Sequence, residues 1–162
     1  MSINKCVLLI GACGSGKTWV MEQLIGSRPT RSKKFGLFRF RHDIEKNVLY
    51  LGVYDQSTFQ GSDRLSMAVM KDSQKFKQIC DKENFSIIAE GDRFTNQTFI
   101  NTFKPVIVKI KDTGEVGRLK RGSNQTERQI KSIVTRVKNI PAHYEVENST
   151  EALEIINNIL KK

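Results

Sequence analysis

Residues 11–18 read Gly-Ala-Cys-Gly-Ser-Gly-Lys-Thr and satisfy the phosphate-loop pattern G-x-x-x-x-G-K-[ST] at every fixed position. The spacing has a chemical reason. A polyphosphate needs several inward backbone N–H donors, and a glycine-rich turn bends tightly enough to supply them while keeping side chains clear. Gly11, Ala12, Cys13, Gly14, Ser15 and Gly16 would form that cradle. Lys17 would reach the β- and γ-phosphates of ATP, and Thr18 would offer its hydroxyl to Mg²⁺. A helix opening here would also turn its positive end toward the anion. A chance match arises in roughly one chain in two hundred of this length at ordinary residue frequencies. The flanks argue further against chance: Cys6-Val7-Leu8-Leu9-Ile10 is a short apolar run of strand type, and 19–25 has helical apolar spacing.

A phosphate loop needs carboxylates to complete it. The apolar run Phe85-Ser86-Ile87-Ile88-Ala89 ends in Glu90-Gly91-Asp92-Arg93, and the carboxyl ends of parallel strands converge on one crevice. Glu90 is therefore expected to organise Mg²⁺ with Thr18, while Asp92 and Arg93 stand just past the strand end, near an acceptor. The polar stretch 55–67 has no clear period and reads as an active-site loop. Within it Asp63 is the candidate to accept a hydroxyl proton and Arg64 to steady a phosphate, although a loop salt bridge or a helix cap would use the same residues. Arg118, Arg121, Arg128 and Arg136 fall in a segment with few acids, interrupted at Gly122-Ser123-Asn124. Two helices broken by a small polar turn would make a lid over about 113–138, with Arg118 at the nucleotide and Arg121 and Arg128 clamping the transferring phosphoryl group. Solvated basic helix faces are the plainer alternative.

The elements that must position these groups follow from pattern. With 162 residues the chain suits one domain, 1–162, around a single core. There is no apolar run near membrane-spanning length and no signal-peptide pattern at the amino end, so a soluble, cytoplasmic protein is expected. Three cysteines without C-x-x-C spacing, and two histidines far from them in sequence, speak for free thiols and against a structural metal. Lys and Arg number 27 against 17 acids, a formal charge of +10, and the excess is concentrated. Residues 28–41 hold six Lys or Arg residues and no acid, and a second basic region spans 104–138. A groove for DNA or RNA and a solvated surface with phosphate-binding arginines both fit that charge. The β-like runs 35–40 and 47–54 predict an antiparallel hairpin beside the main sheet. Helices are predicted near 73–84, 97–103 and 149–160, and a strand over 105–111.

Taken together, the phosphate loop, Glu90-Gly91-Asp92-Arg93 and the arginine-rich segment resemble the nucleotide-kinase branch of P-loop proteins. Asp92-Arg93-Phe94 is similar to the Asp-Arg-aromatic motif of thymidylate kinases. A closer likeness is to small phage P-loop kinases that act on 5-hydroxymethyluracil in DNA, carried by residues 61–69 (GSDRLSMAV), 89–94 (AEGDRF) and 118–125 (RLKRGSNQ). The resemblance implies an α/β, P-loop kinase-type three-layer fold with a mostly parallel central sheet, an inserted β-hairpin and an arginine-rich helical lid. It also implies transfer of the γ-phosphate of ATP to the hydroxymethyl group of a base within DNA, in phage DNA hypermodification. Two other readings stand beside it: a kinase of free nucleosides, nucleotides or another small hydroxylated metabolite, and a non-catalytic nucleotide-dependent binding protein.

Overall fold

Alternate side chains of the first strand feed two different cores, and that alternation defines the architecture. The structure is a computed structural model describing residues 4–55, 61–112, 114–115, 118–119 and 126–161; the side chain of Asp63 lies outside this set. In β1, Cys6–Gly11, Leu8 and Ile10 point into one core and Val7 and Leu9 into the other. A fully buried strand of this kind has no polar face, which is why its sequence is continuously apolar.

On one side of the sheet lie α1, Lys17–Ile25, and α5, Ser149–Lys161, which contribute Val20, Met21, Leu24, Ala152 and Ile156. On the other lie α2, Ser73–Glu83, α3, Gln97–Phe103, and α4, Glu127–Asn139, which contribute Phe76, Cys80, Phe99, Phe103 and Val137. The protein is thus an α/β three-layer sandwich. Burial pushes the Cys80 thiol up to about 12 and raises the Cys6 thiol as well, which keeps both protonated and unreactive.

The remaining strands are β2, Thr30–Phe35, β3, Phe38–Asp43, β4, Val48–Leu51, β5, Ser86–Glu90, β6, Val106–Ile110, and β7, Tyr144–Val146. They form one seven-stranded sheet in the order β2-β3-β4-β5-β1-β6-β7. From β4 to β7 every neighbouring pair is parallel; β2 and β3 add an antiparallel edge. The chain leaves β1 for a helix on one face, whereas β4, β5 and β6 are followed by helices on the other. The carboxyl end of β1 is therefore a topological switch point, where open α/β sheets leave a ligand crevice.

The hairpin differs in part from the sequence expectation. The run 35–40 is not one strand, because the chain turns at Gly36-Leu37 and pairs Phe35 with Phe38. Gly36 has φ 56, and a Cβ there would collide with the Asp72 carboxylate, so the turn needs glycine. The hairpin is fastened to the body by Phe76 of α2, whose ring centre lies 4.3 Å from that of Phe38 and 5.6 Å from that of Phe40. The helices predicted near 73–84, 97–103 and 149–160 and the strand over 105–111 are present, within a residue or two of the expected bounds. Within the segment expected to form a lid, α4 is anchored to the core by Val137 and Ile133. No described helix is long and apolar enough to cross a membrane.

Candidate functional site

The glycine-rich loop sits at the switch point and opens directly into a helix. β1 ends at Gly11, Ser15 N–H donates to the Ala12 carbonyl at 3.1 Å, and Gly16, with φ 99, precedes the first turn of α1. Gly14, with φ 85, also occupies the left-handed region that favours glycine. Lys17 Nζ bridges back over the loop and donates to the carbonyls of Gly11 and Ala12, each at 2.9 Å. Ser15 Oγ is buried with no hydrogen-bond partner, which leaves a polar atom inside the cradle unsatisfied. At the rim, Arg118 Nη1 donates to the Cys13 carbonyl at 2.8 Å, and Arg118 N–H donates to the Gly114 carbonyl at 2.9 Å. A side chain on Gly14 would run into Gly114 and Arg118, so that segment lies against the loop.

The carboxylate arrives from the neighbouring strand. β5 pairs with β1 in parallel, setting Glu90 opposite Leu9, and Glu90 is only 3 % exposed. Its Oε1 accepts from the buried Tyr54 hydroxyl at 2.9 Å and from Ser62 N–H at 3.4 Å. Gly61, with φ 103, brings these groups together. A Cβ on it would stand 2.9 Å from Glu90 Oε1 and 3.2 Å from Thr18 Oγ1. A hydroxyl and a carboxylate that both border one point in space are hard oxygen donors of the kind Mg²⁺ takes from protein while keeping its other positions for phosphate and water. Among the described residues no cluster of three or more His, Cys, Asp or Glu side chains forms, so an all-protein cage for a metal is not on offer there. The cradle, the unsatisfied Ser15 hydroxyl and this donor pair fit a magnesium–polyphosphate ligand.

Beyond β5 the chain makes a tight turn, Asp92–Phe94, held by Thr95 Oγ1 donating to the Gly91 carbonyl at 2.7 Å. Asp92 pairs with Arg136 of α4. Arg93 Nε donates to the Leu65 carbonyl at 3.2 Å, which ties this turn to the one at Ser62–Arg64. Arg64 pairs with Asp55 at 2.7 Å, the loop salt bridge that was the plainer expectation.

Of the predicted site residues, Gly11 to Thr18, Glu90 and Arg118 are brought together, and Asp92 and Arg93 stand at the adjoining strand end. Arg128 is exposed on the first turn of α4 and, among the described residues, bonds to none of the others. Arg121 lies outside the described residues, as does the side chain of Asp63, whose backbone belongs to the Ser62–Arg64 turn. Tyr54 was not foreseen, and Gly61 and Ser62 were expected only as part of the polar loop 55–67, without a contact to Glu90. Their roles depend on tertiary contacts with a strand some 30 residues away, for which residue spacing carries no signal.

Fold and site together define a three-layer α/β protein with a glycine-rich strand-to-helix loop at the switch point of its sheet. Comparison with known families and with curated protein sequences finds no match for this chain.

Proposed function

We propose that the chain is a P-loop kinase that transfers the γ-phosphoryl group of ATP to the hydroxymethyl group of 5-hydroxymethyluracil in DNA. The observation that carries the kinase reading is the convergence of Thr18 and Glu90 beside the glycine-rich loop. A DNA acceptor is supported by the +10 charge, and the particular base by the resemblance of residues 61–69, 89–94 and 118–125.

Thr18 and Glu90 would hold Mg²⁺, which when bound neutralises charge on the β- and γ-phosphate oxygens. Loop N–H groups orient the triphosphate. Lys17 exchanges its carbonyl partners Gly11 and Ala12 for phosphate oxygens. Asp63 accepts the proton of the hydroxymethyl group as its oxygen bonds to the γ-phosphorus and the bond to the β-phosphate oxygen breaks. Asp92 and Arg93 position the acceptor, and Arg118, at the rim of the loop, supplies a cation to the transferring group. A base in a duplex must swing out of the stack to come within about 3–3.5 Å of the phosphorus.

The test is radiolabel transfer from Mg-ATP. Labelling of hydroxymethyluracil-containing DNA, absent with unmodified DNA and with Lys17→Ala, is the expected result. Labelling of free nucleosides or nucleotides alone would replace the acceptor, and nucleotide binding without transfer would remove the enzyme.

A further inference from the structure

We propose that the outer hairpin, β2–β3, is the track on which the DNA strand flanking the acceptor nucleotide lies, its phosphates following Lys34, Arg39 and Arg41. This deepens the reading of DNA as acceptor and rests on it.

The register puts these cations in one row. Lys34 is paired with Arg39 and Ser32 with Arg41, and directly opposed residues share a face of an antiparallel pair. Arg41 is in turn opposite Tyr50, which belongs to the α1-side core, so the row lies on that side of the sheet. It also lies at the end that carries the glycine-rich loop, because Gly52, just past the carboxyl end of β4, donates to the Arg39 carbonyl at 2.8 Å.

The row is continuous with the site. Arg41 Nη1 donates to the Tyr54 carbonyl at 3.5 Å, and the Tyr54 hydroxyl in turn donates to Glu90. With strands about 4.8 Å apart, β3 lies about 10 Å from β5, roughly the rise of three nucleotides. A strand with one base in the crevice beside Glu90 therefore meets the hairpin within a few phosphates.

Two observations separate a track from an ordinary solvated edge. Lysines on an exposed edge strand guard against sheet-to-sheet pairing, and that accounts for β2. It does not account for Arg39, which is exposed on β3, a strand paired on both sides. Second, the charge is left unbalanced. Among the described residues Lys34, Arg39 and Arg41 have no carboxylate partner, and Asp43, the acid on the same face, is buried and occupied by Arg28. Phe76, packed on Phe38 and Phe40 of the opposite face, fastens to the body the backbone that carries the row.

The experiment measures binding of a fluorescent, unmodified single-stranded oligothymidylate by anisotropy across a salt series. Lys34→Gln/Arg39→Gln should weaken binding about tenfold or more and reduce the salt slope by about 0.7 per lost contact. Lys82→Gln/Lys161→Gln removes equal charge from the amino end of the sheet and should change affinity less than about twofold. Equal losses in both pairs, no loss in the hairpin pair, or no DNA binding by the parent protein would overturn the proposal. Phosphoryl transfer is scored separately: if the hairpin binds DNA but no phosphate reaches it, the kinase reading fails while the track stands.

Discussion

Glu90 Oε1 and Thr18 Oγ1 lie 2.9 and 3.2 Å from the point where a Cβ on Gly61 would stand, so a residue without a side chain separates the strand-end carboxylate from the helix-start hydroxyl. Gly61 is needed twice, for its φ of 103 and for the space it leaves. Any larger residue there would crowd both oxygens.

Gly61→Ala should lower transfer about 100-fold and also destabilise the fold by about 1–3 kcal/mol through backbone strain. Gly26→Ala is the matched control. Gly26, with φ 47, is similarly strained but closes α1 away from the loop, its nearest neighbour for a new Cβ being the Gln23 carbonyl at 3.3 Å. It should lose comparable stability and keep transfer. If the two variants lose activity alike, Gly61 matters only through folding.

Glu90→Gln keeps an oxygen for the Tyr54 hydroxyl and the Ser62 N–H while removing the charge. Turnover should fall by about 10²–10³, with half-maximal Mg²⁺ concentration raised and melting temperature little changed. Tyr54→Phe removes one donor to the same oxygen and should cost about fivefold without moving the Mg²⁺ requirement. Trp19, the chain's one tryptophan, adjoins Thr18 and is 40 % exposed, so its emission reports nucleotide binding in each variant. An unchanged Mg²⁺ dependence in Glu90→Gln would remove Glu90 as a metal-organising group.

Much of this site is legible in residue order, and the rest is not for identifiable reasons. Gly11 to Thr18 and Glu90 can be read because strand, loop and helix are contiguous and because a buried strand is uniformly apolar. β2 resists such reading: Thr-Arg-Ser-Lys-Lys-Phe is an edge strand with four consecutive exposed residues, so no alternation marks it. β7 spans only Tyr144–Val146, too short to carry a period. The turn at Gly36-Leu37 left a trace in its glycine, but the adjoining phenylalanines read as one uninterrupted strand. Tyr54 and Arg136 acquire their partners only through the fold.

Asp92 and Arg136 join the turn after β5 to α4, with side chains 34 % and 43 % exposed. A pair so exposed contributes less than about 1 kcal/mol to stability, so Asp92→Asn and Arg136→Gln should each leave the melting temperature almost unchanged. Their effect is expected on transfer. Because Arg136 acts through Asp92, Arg136→Gln should raise the acceptor KM in the parent and do nothing further in Asp92→Asn. Additive losses in the double variant would show the two residues working independently.

Asp43 anchors the base of the basic hairpin and makes its stability depend on acid. Burial alone would raise its carboxyl. Hydrogen bonds from Arg28 Nε at 2.7 Å and Lys46 N–H at 3.1 Å, with their charges, instead hold it below the ordinary value of 3.8. The unfolded chain therefore takes up this proton more readily than the folded one. The Asp43 contribution is complete above the unfolded value and disappears as pH falls through the lower folded one. Asp43→Asn should destabilise the protein by about 1.5–3 kcal/mol near neutrality, the range for hydrogen bonds to a charged group. The gap to the parent should then narrow in thermal melts as pH drops below about 4. A gap that stays constant or widens toward acid would mean that Asp43 is not held ionised by Arg28 in the folded protein.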